Sequence, residues 1–317
     1  MTGSSAPRVA SVVVAWNRAD ILRDTLDGLG GQTRPLDDVV VVDNASTDGT
    51  PALVAAHPAV TDVVTLPENL GGAGGFAAGI ARAVARGADL VWIMDDDTVP
   101  SPTALQELLR VRAAYAGEPA VLAARADWVD GREHPMNRPR QRPGVSEGLR
   151  AHAAAVGAVQ IRTASFVAIL IDARAIRAEG LPVADYFLWN DDFEYTGRLL
   201  RQRVGLYVDA ARVEHRTKVF GNSTADPGPR FVNEVRNKIW TFTRSRAFSV
   251  GERLLYGGRS LIRWAALIVR SGDRAALLGR LRQGIDEGAR APRPNTVVFE
   301  GTAVAADVRA LEGGAAR

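Results

Sequence analysis

Three consecutive carboxylates, Asp95, Asp96 and Asp97, follow the apolar run Leu90-Val91-Trp92-Ile93-Met94, where a buried strand reaches the surface. Like charges this close raise one another's pKa and destabilise the fold. A hard divalent cation, Mg2+ or Mn2+, removes that penalty and also binds phosphate oxygens. In an extended segment residues i and i+2 point the same way, so Asp95 and Asp97 can reach one ion. The pattern points to a diphosphate-bearing substrate. A second acidic group lies in Trp189-Asn190-Asp191-Asp192-Phe193-Glu194-Tyr195. Its aromatic residues, with Tyr186 and Phe187, suit sugar faces packing on rings and suit core packing equally.

The elements that must position these residues are legible as alternating patterns. Strands are expected over residues 9–14, 38–42, 61–66 and 90–94, and helices over 19–30, 51–56 and 74–86. Strands apolar on both faces and separated by helices indicate a parallel sheet covered on both sides. Ligands of such sheets sit beyond the carboxyl ends of the strands. Ala15-Trp16-Asn17-Arg18, the turn from Asp43 to Thr50, and the aspartates all fall there. A helix is expected over 101–115, a long surface loop rich in Arg, Pro and Gly over 127–150, and one or two strands over 158–171. A helix running to Arg203, a short strand over 206–208 and a mostly helical remainder from Phe231 complete the expectation.

At 317 residues and 46% hydrophobic composition, the chain can hold one large α/β domain with extensions or two smaller domains. No apolar run approaches the roughly 20 residues of a membrane span, and no secretory h-region or cysteine is present. These features lead to the expectation of a cytoplasmic chain without disulfides. Of 39 cationic residues only Lys218 and Lys238 are lysine. The bias fits a high-GC genome better than nucleic-acid binding.

Taken in order, Val12-Val13-Val14-Ala15-Trp16-Asn17-Arg18, Val41 to Gly49, Asn69-Leu70-Gly71-Gly72-Ala73-Gly74-Gly75-Phe76 and Asp95-Asp96-Asp97 resemble the inverting family-2 glycosyltransferases of GT-A fold. The match spans about residues 9–215. With Trp189 to Tyr195 and a later histidine, the chain resembles the galactofuranosyltransferases that build bacterial cell-wall galactan, and most of all the initiating members. The resemblance implies a GT-A domain over 1–230, with a Rossmann-like, mostly parallel sheet, and a helical C-terminal region over 231–317. It implies a UDP-sugar donor held by Ala15, Asn17, Asp43, Asn69, Gly72, Gly75 and Asp96. A divalent metal, Mn2+ or Mg2+, is implied on Asp95, Asp97 and His215. Asp192 is implied as the base, with Asp191 beside it, because Trp189 and Phe193 could desolvate it and raise its pKa. Asn190, inserted before the carboxylate pair, leaves the choice between Asp191 and Asp192 open. The acceptor, a polyprenyl-diphosphate-linked glycan, is implied to meet Trp189, Phe166, Ser165 and Glu194. Arg236-Asn237 resembles a motif of related transferases and is expected near the donor phosphates.

Residues 253–282 alternate apolar and arginine positions at helical spacing. They suit an anionic membrane surface, which places the chain at the inner face of the cell membrane, or the packing of a helix on the catalytic part or in a homo-oligomer. A rhamnosyltransferase using dTDP-rhamnose is the nearest alternative. Gly72 to Ala77, with Asp95 about twenty residues on, also mimics the fingerprint of a nicotinamide-dependent oxidoreductase. That fingerprint belongs after a first strand, whereas two strand-helix units precede it here. A nucleotide-sugar-binding protein without catalysis is the third alternative.

Overall fold

The computed structural model describes residues 6–221 and 227–314. The chain opens with β1 (Val9–Ala15), α1 (Ala19–Gly30), β2 (Asp38–Asp43), α2 (Thr50–Ala56), β3 (Asp62–Thr65), α3 (Gly71–Ala85) and β4 (Leu90–Asp95). It continues through β5 (Thr98–Pro100), α4 (Ala104–Ala114), β6 (Val121–Asp127), β7 (Arg140–Gln141), α5 (Glu147–Ala155), β8 (Ala158–Thr163), β9 (Ile169–Asp172), α6 (Ala173–Glu179), α7 (Asp191–Leu199) and β10 (Gly205–His215). Helices α8 (Phe231–Thr243), α9 (Val250–Arg270), α10 (Arg274–Ala289), α11 (Asn295–Val298) and α12 (Ala305–Gly314) follow.

The strands form one mixed sheet in the order β3-β2-β1-β4-β9-β6-β10-β8-β7, with β5 paired to β10. Strand β1 is buried throughout, and its residues alternate between two cores. Ala10, Val12 and Val14 face the layer of α3, while Val9, Val13 and Ala15 face α1 and α4. Period-two alternation between two apolar layers is the reason an all-valine run is stable there. Helix α3 lies very close to the sheet: a Cβ at Gly75 would stand 2.4 Å from Val14 Cγ1.

The order reverses between β1 and β4, which pair in parallel while β2 and β3 lie on the far side of β1. A crevice therefore opens beyond their carboxyl ends. Strand β10 carries a register shift between Val208 and Arg212, after which it pairs with β5 and sets His215 opposite Thr98. The bulge re-aims the strand end toward the acidic triplet.

Several boundaries differ from the sequence expectation. Strand β6 was not anticipated, because its alanine-rich run Val121-Leu122-Ala123-Ala124-Arg125-Ala126 has a single β-branched residue, Val121, to mark a strand. Strand β10 covers 11 residues, well beyond 206–208. The expected loop over 127–150 contains β7 and enters α5, capped by Ser146, whose side chain accepts from the Leu149 amide. Residues 231–314 are mostly helical. They pack into the rest: Phe299, Val304, Val308 and Leu311 join the core cluster that contains α3.

Candidate active site

The turn after β4 and the end of β10 bring Asp95, Asp97 and His215 together, with one ligand atom from each within 4.8 Å of the others. His215 Nε2 stands 3.2 Å from Asp97 Oδ1. On the opposite side of the ring, Nδ1 lies 2.8 Å from Asn137 Oδ1, and only a protonated Nδ1 can donate to that oxygen. Nε2 is thereby turned toward the carboxylates: protonated, it donates to Asp97, and deprotonated it would offer a lone pair to a cation, the arrangement found behind metal-bound imidazoles. Asn137 in turn donates to Ser165 Oγ at 3.2 Å. Ser165, which the family resemblance assigned to the acceptor, is thus placed in the support of His215.

Burial, with the charge of Asp97, pushes Asp95 up to about 6, and burial with both neighbours pushes Asp96 up to about 7. Burial would raise Asp97 too, but the hydrogen bond and charge of His215 outweigh it and hold Asp97 below the ordinary value. Two hard oxygens and an imidazole nitrogen, one of the carboxylates pushed up by burial and its neighbour's charge, fit a divalent cation. Asp96 turns away from this pair and accepts from the Trp16 amide at 3.2 Å, across the crevice between β1 and β4.

The loops after β1 and β2 are tied to each other. Asn17, at φ 52, accepts from the Thr47 amide at 2.8 Å, and its own amide donates to Ser46 Oγ at 3.1 Å. Ala15 is buried and its carbonyl accepts from Asn44. Asp43, also buried, spends one oxygen on the Ser46 amide at 3.0 Å. Asn69 accepts from the Gly71 amide at 2.8 Å, opening α3. Around a Cβ at Gly72 there is open space, whereas Gly75 faces Val14. Gly75 therefore serves helix-sheet packing, which corrects its assignment to the donor.

The segment before α7 is strained. Phe187, Trp189 and Asn190 have φ of 61, 70 and 66, all in the left-handed region. Gly71 makes room for it, since a Cβ there would meet Phe187 O at 2.0 Å. Asn190 is absorbed as the left-handed residue before the helix, and its side chain donates to Glu234 Oε2 at 2.7 Å. Asn237 is fully buried and directs its amide at the carbonyls of Tyr186, Leu188 and Trp189 at 2.9, 3.0 and 2.7 Å. Arg236 donates to the carbonyls of Asp185 and Tyr186. The pair thus clamps the loop that presents Asp191 and Asp192, and the donor-phosphate expectation for it is corrected.

Asp191 is buried, and desolvation with the charge of Asp192 raises it well above the ordinary range. Burial raises Asp192 as well, while the Phe193 amide at 2.6 Å and the charges of Lys238 and Arg140 oppose the shift. Asp192 thus has cations and an amide that favour its ionised form. Its charge contributes to the shift of Asp95, so both acidic groups share one crevice.

Two acceptor assignments are overturned by the geometry. Phe166 is 4% exposed and packs edge-on against Phe76, centroids 4.9 Å apart, inside the core. Glu194 is buried in an ion pair with Arg198 at 2.9 Å and accepts from Ser245 at 2.6 Å, so its carboxylate is consumed internally. Trp189 is half-buried, and Tyr186 is a core residue bonded to Thr241. Sequence reasoning missed Asn137 and the clamping role of Asn237, since their contacts span long stretches of chain and leave no local pattern.

The family described as Glycosyl transferase family 2 matches residues 11–176. A galactofuranosyltransferase, GlfT1 of Mycobacterium tuberculosis, is 34% identical over 280 residues, covering 83% of this chain and 90% of that protein. The chain belongs to glycosyltransferase family 2. Among solved structures of the same architecture, S. aureus TarS 1-349 in complex with UDP-GlcNAc superposes with a TM-score of 0.61 at 16% identity, covering 88% of this chain and 81% of that one. The mannosyltransferase PcManGT of Pyrobaculum calidifontis, in complex with GDP-Man and Mn2+, gives 0.54 at 18% identity, covering 98% and 87%. The family-2 chain thus has the GT-A fold and is a glycosyltransferase. This overturns the oxidoreductase reading of the glycine run, which opens the third crossover helix here.

Proposed function

We propose that this glycosyltransferase moves galactofuranose from UDP-galactofuranose, with inversion, to a rhamnosyl-N-acetylglucosaminyl-diphospho-polyprenol in cell-wall galactan synthesis. The observation that carries the reading is the convergence of Asp95, Asp97 and His215 on the crevice that also receives Asp192. Similarity to a galactofuranosyltransferase over most of both chains supports the sugar.

A divalent cation on Asp95, Asp97 and His215 would neutralise the charge left on the departing diphosphate. Asn137 keeps the His215 nitrogen turned toward the carboxylates. Ala15, Asn17, Asp43, Asn69 and Gly72 line the donor side, and Asp96 faces the donor sugar or ribose. Asp192 takes the proton of the acceptor hydroxyl, whose oxygen bonds to the anomeric carbon as the bond to the diphosphate oxygen breaks. Attack opposite the leaving group inverts that carbon. Asp191, whose neutral form is favoured by burial, can donate a hydrogen bond to a substrate hydroxyl. Trp189 offers its ring to the acceptor.

No described helix is long and apolar enough to cross a membrane. Helix α9 instead exposes an apolar stripe: Val250, Leu254, Leu261, Ile262 and Val269 are 63–74% exposed. Arg259, Arg263 and Arg270 adjoin it, and no acid follows Glu252 in the helix. This charge and shape suit an anionic bilayer bearing the lipid-linked acceptor at the inner membrane face.

The test is a transfer screen of UDP- and dTDP-sugars with Mg2+ or Mn2+ on a synthetic rhamnosyl lipid. Turnover of UDP-galactofuranose to an inverted product is expected; selective turnover of dTDP-rhamnose would overturn the donor.

A further inference from the structure

Next to Asp192, two cations converge on one aromatic ring. Lys238 Nζ lies 3.9 Å from the centroid of Phe193, and the Arg140 guanidinium lies 5.5 Å from it and 5.8 Å from Tyr256. Phe248 stacks on Phe193 at 4.5 Å, so the ammonium covers the remaining face. Lys238 is 7% exposed. Among the described residues no carboxylate pairs with it and no acceptor takes any of its three donors. Glu234, one turn earlier on α8, is taken by Asn190, Arg263 and Trp264. Asp192 accepts from the Phe193 amide.

An ammonium largely withdrawn from water and held against the rings of Phe193 and Phe242 rather than by an acceptor is costly, and a second cation beside it adds to the cost. Desolvation, with the charges of Arg263 and Arg140 against those of Glu234 and Asp192, pulls Lys238 down to about 8. The two charges favour the ionised form of Asp192, but that alone does not call for a second cation beside the first. The arrangement is what a site for an anion looks like before the anion arrives.

We propose that Lys238 and Arg140 form a subsite for the phosphate groups of the lipid-linked acceptor. The metal cluster provides for the donor diphosphate, and there Asp97 answers to His215 and Arg18. Lys238 and Arg140 act instead on Asp192. Tyr256, beside Arg140, belongs to α9, the helix that also carries the exposed apolar residues Leu254, Leu261 and Ile262. The assignment rests on the diphosphate-linked acceptor proposed above.

The probe is inorganic pyrophosphate, added to the full chain in excess EDTA so that no metal takes part. It is expected to raise the melting temperature of the wild type and of Lys238→Arg, and to lose that effect in Lys238→Gln and in Arg140→Gln. Arg140 is exposed, so folding of the second variant is not in question. No shift in the wild type, or the same shift in both Gln variants, overturns the subsite. A kinetic arm compares the diphosphate-linked acceptor with the same disaccharide on an uncharged alkyl chain. The preference for the charged acceptor, read as a ratio of kcat/KM, is expected to fall at least about tenfold in Lys238→Gln. An unchanged ratio with a raised donor KM would give the phosphate to the donor and overturn the acceptor assignment. A pyrophosphate shift in a wild type that transfers to neither acceptor would uphold the anion subsite and sink the proposed reaction instead.

Discussion

Asn237 of α8 hydrogen-bonds the carbonyl of Trp189 at 2.7 Å, two residues before the first carboxylate of the Asp191-Asp192 pair. The bond spans 48 positions of sequence and ties the C-terminal helices to the chemistry. Asn237→Ala leaves buried carbonyls without a donor, at a cost of about 1–3 kcal/mol. We expect a lowered melting temperature and a loss of kcat of more than about tenfold, with Mn2+ affinity unchanged by titration. Full activity would show that the loop holds its shape unaided.

Asn137 is expected to matter in the opposite way. Asn137→Leu frees the His215 ring, and loss of such support weakens metal affinity by about 10- to 100-fold. Titration of Mn2+ against protein fluorescence reads this directly, and an affinity equal to wild type would refute the role.

Replacing Asp192 with Asn should abolish transfer while UDP still raises the melting temperature. Asp191→Asn, at a site where burial and the charge of Asp192 favour the neutral form, should reduce turnover far less. Comparable losses in both variants would return the choice of base to an open state.

The acidic cluster gives a pH signature. Asp95 and Asp96 titrate near 6 and 7 in the fold against about 3.8 unfolded, and His215 is also raised above its ordinary value by Asp97, which outweighs burial. The folded chain therefore holds more protons between about pH 4 and 7, so stability from these groups is full at the acid end and falls as pH rises. Metal-free protein should melt lower at pH 8 than at pH 5.5 on this account. Saturating Mn2+ should remove the slope, because the cation replaces the protons. A slope that survives the metal would place the titrating groups elsewhere.

Lys238 predicts a trade between stability and function. Burial lowers it from 10.5 to about 8, which at about 1.4 kcal/mol per unit amounts to roughly 3 kcal/mol. The penalty is complete below pH 8 and vanishes as pH rises toward 10.5, where the unfolded lysine also loses its proton. Lys238→Met should thus melt higher than wild type at pH 7 while transferring more slowly. A lower melting temperature would mean that the ammonium is already satisfied.

Membrane attachment is tested by sedimentation with vesicles. Wild type should pellet with anionic vesicles and not with neutral ones, and Leu254→Asp with Ile262→Asp should stay in solution. Both side chains are over 70% exposed, so the substitutions spare the core.

The first four strands were readable because each is centred on a short valine- or otherwise apolar-rich run between turn-forming residues, and Asp95 and Asp97 follow from period two. His215 could be chosen among four histidines only through the family pattern, since the bulge that aims it lies in a strand seen in sequence as three residues. Phe166 and Glu194 were misjudged because neighbours in sequence do not share a direction: one turn along α7, Glu194 already points at Arg198. Asn137 sits in a run without periodicity, and only tertiary structure reveals that it supports a histidine 78 positions away.

Left-handed backbone at Phe187, Trp189 and Asn190 costs of order 1–3 kcal/mol at each position. That energy must come from helix α8, which begins where the family resemblance ended the catalytic part. A chain shortened at residue 230 would accordingly lose both the clamp on the loop before Asp191 and the side chains of Phe299, Val304, Val308 and Leu311 that close the core over α3.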